Sequence, residues 1–251
     1  MALVNPYPST EHKMFKRTFL QQTEVNVRFA PALSPSDFRE RIIPFAKLHF
    51  GQEINIDPES DANHAKMEAA GEEKQYTFDI HSAHIVIGPR SYETFAQTVI
   101  PLLPRIQAFL RDVAQVDSCL ELAIVKKNAW PVKADNAFES FTEALGFVFK
   151  DEYVSDLVRS YKYAPENPRP IQTTKFWATD ICEGAKLDTK IVAEVTNKDN
   201  LFFELALEAA VSNIAIEDIL VDALVLNDII YTKFIDVISD DVIDIMTNEN
   251  E

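Results

Sequence analysis

The chain has 251 residues, with 40 acidic and 24 basic side chains and a formal charge of −16. That sign repels a phosphate backbone, so direct nucleic-acid binding is not expected, and 47% hydrophobic with 25% charged residues excludes a wholly disordered chain. Five glycines, about 2% against an average near 7%, argue against Gly-rich dinucleotide and phosphate-loop folds. Over 24–29, Val25, Val27 and Phe29 alternate with polar residues, the period of a half-buried strand. Ser34-Pro35-Ser36-Asp37 then reads as a helix start that turns Phe38, Ile42 and Phe45 toward a core. A second strand is predicted over 52–56. The stretch 57–74 is polar and without apolar period, so it reads as a loop. Short strands follow at 76–80 and 84–87. An amphipathic segment opens at Ser91 and carries Phe95, Val99, Leu102, Ile106 and Phe109, with Pro101 and Pro104 inside it. Proline removes a donor and crowds the preceding turn, which predicts a helix that bends or restarts near Pro101.

The second half uses the same grammar. An apolar strand over 120–125 is expected to end at Lys126-Lys127. Helices are predicted over 135–145 and 151–161, and 163–170 carries three prolines in an extended connector. Three strands follow at 173–181, 189–195 and 201–207. The last long helix begins near Glu217, with Leu220, Leu224, Asn227, Tyr231, Phe234, Ile235 and Ile238 on the expected core stripe. Ser239-Asp240-Asp241 caps a final turn.

Runs of three strands imply an α+β fold, mainly antiparallel sheet with long helices on one face. The order suggests two pseudo-repeats of strand–helix–three strands–helix, 1–116 and 117–251, joined as one compact unit. Cys119 and Cys182 make no disulfide framework, no stretch has the length of a membrane span, and 1–17 has no signal-peptide core. The expectation is a cytoplasmic protein.

Three places carry a resemblance. Thr23-Glu24-Val25-Asn26-Val27-Arg28-Phe29 has an acidic–apolar–Arg-Phe pattern. Ser91-Tyr92-Glu93-Thr94-Phe95 opens a helix with Tyr-x-x-Phe. Leu226-Asn227-Asp228-Ile229-Ile230, with Phe234 and Ile238-Ser239-Asp240-Asp241, closes the chain. In these the sequence resembles a sporadically distributed bacterial family of uncharacterised conserved proteins of about this length. It departs from the pattern where Arg17-Thr18-Phe19 replaces the usual Asn-Pro-Pro, and no tryptophan lies near the terminal turn. The family has no established activity, so the resemblance implies no catalytic residue, only an accessory role of defence type.

No catalytic motif, cofactor-binding loop or metal-ligand set is assigned. His81 and His84 have metal-like spacing, but residues three apart on a strand point to opposite faces. Glu217, Asp218 and Asp222 fit the positive end of a helix, and Cys119 reads as a small core residue. Lys13, Lys16, Arg17, Lys126 and Lys127 are scattered basic residues. The asymmetry of charge is stronger: from 201 to 251 there are twelve acids against Lys233 alone. Solubility explains such a run. The sharper reading is an acidic C-terminal face, with Asp218, Asp222 and Asp236 as candidate partner-binding residues for a basic protein. The first expectation is therefore a non-catalytic interaction protein. The alternatives are a small-molecule-binding module with an apolar cavity, an acidic DNA mimic, or an enzyme of unrecognised type.

Overall fold

The fold was obtained as a computed structural model, which describes residues 3, 15, 18–51, 54–56, 64–69, 73–160, 173–182 and 184–248. It opens with β1 (Leu20–Arg28) and α1 (Pro35–Phe50), then β2 (Ile54–Ile56), β3 (His64–Ala69), β4 (Lys74–Asp79) and β5 (Ser82–Ile87). A broken helical segment holds α2 (Phe95–Thr98) and α3 (Leu103–Ala108). The second half is β6 (Ser118–Lys133), α4 (Phe141–Val148), α5 (Asp151–Ser160), β7 (Thr173–Cys182), β8 (Ala185–Asn197), β9 (Asn200–Ala215), α6 (Ile219–Val237) and α7 (Asp240–Thr247). The class is α+β, as the patterning implies.

All nine strands form one sheet in the order β2-β3-β4-β5-β1-β6-β9-β8-β7, and the recorded pairings are antiparallel. The order is symmetric about the β1–β6 seam: β5, β4 and β3 on one side match β9, β8 and β7 on the other. The repeat predicted from sequence is therefore present in its common part. It is not complete, because the first half adds β2 and the second adds α5 and α7.

Period-two alternation sets the layers. Thr23, Val25 and Val27 of β1, Leu187, Ile191, Ala193 and Val195 of β8, and Leu201, Phe203, Leu205 and Leu207 of β9 are all buried on one face. The helices cover that face. Ser34 caps α1, accepting from the Asp37 amide at 3.3 Å, and Phe38, Ile42 and Phe45 are buried as expected. In the first half Phe109 is the hub, with ring centroids 4.5 Å from Phe78, 5.8 Å from Phe45, 5.9 Å from Phe29 and 6.3 Å from Phe38. In the second half Phe149 lies edge-on to Trp130 and Phe203, at 5.9 and 6.2 Å.

Three expectations need correction. The 57–74 loop contains β3, and β4 begins at Lys74; the rest of that stretch, except Glu73, lies outside the described residues, as does the 163–170 connector. The helix after Ser91 restarts near Pro101, as expected: α2 stops at Thr98, a 3-10 turn covers Ile100–Leu102, α3 follows, and a π turn over Phe109–Ala114 ends it. Two prolines three residues apart interrupt the hydrogen-bond ladder twice. Positions 135–140 are turns, and Gly146 lies within α4 rather than after it. Last, α6 is rotated from the expected stripe, with Ile219, Asp222, Ala223, Leu226, Asn227, Ile230 and Phe234 buried and Leu224 41% exposed. Apolar residues surround this helix on all sides, so periodicity alone could not fix its inner face. Among the described residues no helix is long and apolar enough to cross a membrane.

Candidate functional site

The Lys126-Lys127 pair does not end its strand. β6 continues through both to Lys133 because β1 and β9 flank it and take up its backbone groups. Successive residues point to opposite faces, so Lys127 faces away from the helices and Lys126 faces into them. Lys126 stands directly between Thr23 on β1 and Leu207 on β9, and Leu207 stands opposite Thr189 on β8. Thr23, Leu207 and Thr189 are each 0% exposed. A cation has thus been set into a buried row of the sheet, beside the seam between the halves.

Its surroundings come from both halves. Thr94 caps α2, accepting from the Gln97 amide at 3.1 Å, which fixes Phe95 at the helix start and Tyr92 just before it. The Lys126 ammonium lies 5.4 Å from the Tyr92 ring centroid and 5.5 Å from that of Phe95, within cation–π range. From the other side α6 presents Asn227, 6% exposed, and Lys126 Nζ donates to its Oδ1 at 2.7 Å. Burial pushes the Lys126 ammonium down to about 8, with the charge of Asp228 opposing that shift. Burial also pushes the Tyr92 phenol up. Among the described residues Thr23 Oγ1 is buried with no hydrogen-bond partner, as are Thr189 Oγ1 in the same row and Trp130 Nε1. Both Lys126 and Tyr92 retain partial exposure, and the ammonium lies between the Tyr92–Phe95 segment and α6. An ammonium has three donors; one is taken by Asn227. Rings, an amide, an unpartnered hydroxyl and a cation at this spacing can hold an anionic group on an apolar body.

The opposite face of the sheet is built of charge pairs. Glu24 accepts from His84 Nε2 at 2.9 Å, from Lys127 Nζ and from Gln22 Nε2 at 3.0 Å. The His84 hydrogen bond, against burial and with help from Lys127, holds the Glu24 carboxyl down at about 2. Arg28 pairs with Glu121 at 3.0 Å, and Lys186 with Asp188 at 2.5 Å. An open depression of about 590 Å³, lined by Val132, Lys133, Glu143, Phe147 and Asp241 among others, lies at the far end of β6. It holds no convergent polar cluster comparable to that around Lys126.

The candidate acidic residues do not form one exposed face. Asp222 is 3% exposed, inside the buried stripe of α6, where its Oδ1 accepts from the Leu3 amide at 3.4 Å and burial pushes its carboxyl up. Asp218 sits at the start of α6 without a capping bond. Asp236, nearly five turns further on, accepts from Tyr153 Oη at 2.9 Å and Lys233 Nζ at 3.3 Å. Lys233, the lone cation of the acidic segment, also reaches Asp180 at 3.6 Å. Glu204 and Glu208 belong to the charged face of the sheet, and Asp240, Asp241 and Asp244 to α7. His81 is exposed in the β4–β5 turn while His84 is paired with Glu24. Cys119 is buried, its thiol pushed up to about 11. Sequence reasoning noticed Lys126 only as a scattered basic residue. The one available signal was its parity with Leu122 and Ile124, and that was masked by Ala123 and Val125 on the other parity.

No protein-family model and no curated protein matches the chain. Among solved structures it is similar to DynU16, a protein of the dynemicin biosynthetic locus, at 11% identity and a TM-score of 0.26, covering 86% of this chain and 97% of that one. It is also similar to the di-domain ARO/CYC StfQ of the steffimycin biosynthetic pathway, at 10% identity and a TM-score of 0.16, covering 85% of this chain and 96% of that one. Scores of this size carry no argument about site or activity.

Proposed function

We propose that this protein is a small-molecule-binding module whose ligand is a carboxylate on an aromatic or other apolar body, received at Lys126. The observation that carries this reading is the buried ammonium, with one hydrogen bond among the described residues, flanked by the Tyr92 and Phe95 rings. In this arrangement a carboxylate replaces water on the free donors of Lys126, and charge-assisted bonds of that kind are about twice as strong as neutral ones. The Thr23 hydroxyl, unpartnered and directly across the strand pair, supplies a further donor on the same row. The two rings cover the apolar body of the ligand.

Titration calorimetry at neutral pH with a series of aryl and alkyl carboxylates tests this. Wild type is expected to bind at least one class, and the corresponding amides and alcohols are expected to bind far more weakly. Lys126→Met should abolish binding while the fold is kept. Affinity should fall as pH rises past the point where Lys126 loses its proton. Equal binding by Lys126→Met, or a preference for the neutral analogues, would remove Lys126 from the ligand site.

The spread of acids over three surfaces gives no support to a single acidic docking face or to a DNA mimic.

A further inference from the structure

Lys126 differs from Lys127, Lys186 and Lys233 in what answers its charge. Lys127, its neighbour on β6, meets Glu24, and Lys186 on β8 meets Asp188 at 2.5 Å. Lys233 on α6 lies between Asp236 and Asp180, at 3.3 and 3.6 Å. Among the described residues Lys126 has no carboxylate at ion-pair distance; Asp228, next along α6 from Asn227, acts on it only at longer range. Its one hydrogen-bond partner there is the neutral amide of Asn227, at 2.7 Å. The other groups about it are the Tyr92 and Phe95 rings and, on the sheet, Thr23 and Leu207. An amide oxygen accepts from an amine as well as from an ammonium, so this set does not require the extra proton. The rings favour the cation, but burial without a counter-ion opposes it more strongly, and the ammonium is held at about 8. At pH 7 about one molecule in ten then carries the free amine, about 300-fold more than for a lysine at the ordinary 10.5. A desolvated, unprotonated lysine is a nucleophile toward carbonyl carbon, and the partial exposure of Lys126 and Tyr92 leaves a way in.

We propose that Lys126 captures aldehydes and ketones on an aromatic or other apolar body as a reversible Schiff base. The inference rests on the reading of Lys126 as the group that receives the ligand, and it adds a covalent chemistry at the same atom. The nitrogen lone pair bonds to the carbonyl carbon, the C=O pair moves onto oxygen, and one amine proton follows it to give a carbinolamine. The second amine proton leaves with that hydroxyl as water while the C=N bond forms. Both protons of the amine thus depart on the carbonyl oxygen, no further reactant is consumed, and water reverses the step. The Tyr92 phenol, pushed up by burial, keeps its proton and does not compete as a nucleophile. Its ring and that of Phe95 cover the apolar body.

Reductive trapping tests the proposal. The protein is treated at pH 7 with benzaldehyde and sodium cyanoborohydride, and peptide mapping by mass spectrometry follows the rate at each lysine and at the N-terminal amine. Lys126 is expected to be labelled about tenfold faster than Lys127 or more, given its larger share of free amine. The ratio should be smaller with glyceraldehyde, which has no apolar body, and should shrink as pH rises toward 10.5, where ordinary lysines also lose their protons. Asn227→Asp sets a carboxylate against the ammonium and should cut the Lys126 rate at pH 7 about tenfold or more, with the circular dichroism unchanged. If that variant does not fold, the wild-type ratio and its course with pH decide. Labelling of Lys126 no faster than Lys127, a ratio indifferent to pH, or a folded Asn227→Asp protein labelled at the wild-type rate overturns the proposal. The two readings of the site fail separately. Carboxylate binding in calorimetry with no preference for Lys126 in trapping removes the Schiff base alone, whereas trapping at Lys126 with no carboxylate bound removes the carboxylate reading alone.

Discussion

Lys126→Met is the substitution that tests the electrostatics of the interior most directly. The side chains are similar in length and the change removes one charge. In the fold the ammonium is held near 8, against an ordinary 10.5. A depressed lysine binds fewer protons folded than unfolded between those two values, so its penalty is present in full below about pH 8 and fades as pH rises to 10.5. At 1.36 kcal/mol per unit the penalty is about 3 kcal/mol. Against it, Lys126→Met leaves the Asn227 amide oxygen buried without its donor, a cost of about 1–3 kcal/mol. Urea unfolding of both proteins should therefore give stabilities at pH 7 that are close, with wild type gaining about 3 kcal/mol on the variant between pH 7 and 10.5. The comparison with the variant cancels the other lysines, tyrosines and cysteines that titrate in the same range. The double change Lys126→Met with Asn227→Leu should be more stable than either single variant at pH 7. A wild-type-minus-variant difference that stays flat across this window would mean that the ammonium is solvated rather than held between the two rings and α6.

Glu24 should behave in the opposite sense. Its carboxyl is held near 2 against 4.5, so it contributes about 3 kcal/mol above pH 4.5 that is lost as pH falls to 2, and Glu24→Gln should flatten that acid limb in urea titrations. Asp222→Lys should unfold the protein or lower its melting temperature sharply, because it buries a cation among Ile219, Ala223 and Leu226, while Asp218→Lys at the helix start should change it little. Asp222→Asn should be neutral or stabilising at pH 7, since burial already opposes ionisation there. Phe109→Ala removes the ring on which four other rings converge and should cost about 3–5 kcal/mol in chemical denaturation.

The fold was legible where one period dominated. Val25, Val27 and Phe29 could only be a strand with one buried face, and Ser34 with Phe38, Ile42 and Phe45 could only be a capped helix. The seam was not legible, because pairing β1 with β6 joins residues about a hundred positions apart, and no local pattern encodes such a partner. Lys126 was missed for the same reason. On a strand apolar at both parities, the inner face is decided by the neighbours. Asp222 was placed on the surface because an aspartate in the first turn of a helix ordinarily belongs there. In this chain α6 lies so deep that its first turn is interior, where the Leu3 amide meets the carboxylate. β3 was read as a loop because its residues His64, Lys66 and Glu68 are polar, and pairing with β4 rather than its own composition makes it a strand.

The seam also bears on why a lysine stands in the core at all. Two half-sheets joined edge to edge leave their helical layers to meet above β1 and β6, and α3 does pack on α6 there. An all-apolar junction would close that meeting line as it closes the rest of the core, where Leu103, Ile106 and Ile124 are fully buried. Instead the line carries Lys126, Asn227, Tyr92 and an unpartnered Thr23, drawn from both halves. The hydrogen bond to Asn227 and the two ring contacts offset part of the cost of burying the ammonium. They do nothing for the Thr23 hydroxyl, whose desolvation is uncompensated in the protein alone. A group that a binding event would satisfy lies here beside a cation with free donors, while Trp130 Nε1 and Thr189 Oγ1 are likewise buried without a partner among the described residues. Such local departures from packing are where stability is traded for a site, and the stability gain expected of the Lys126→Met, Asn227→Leu pair is the measure of that trade.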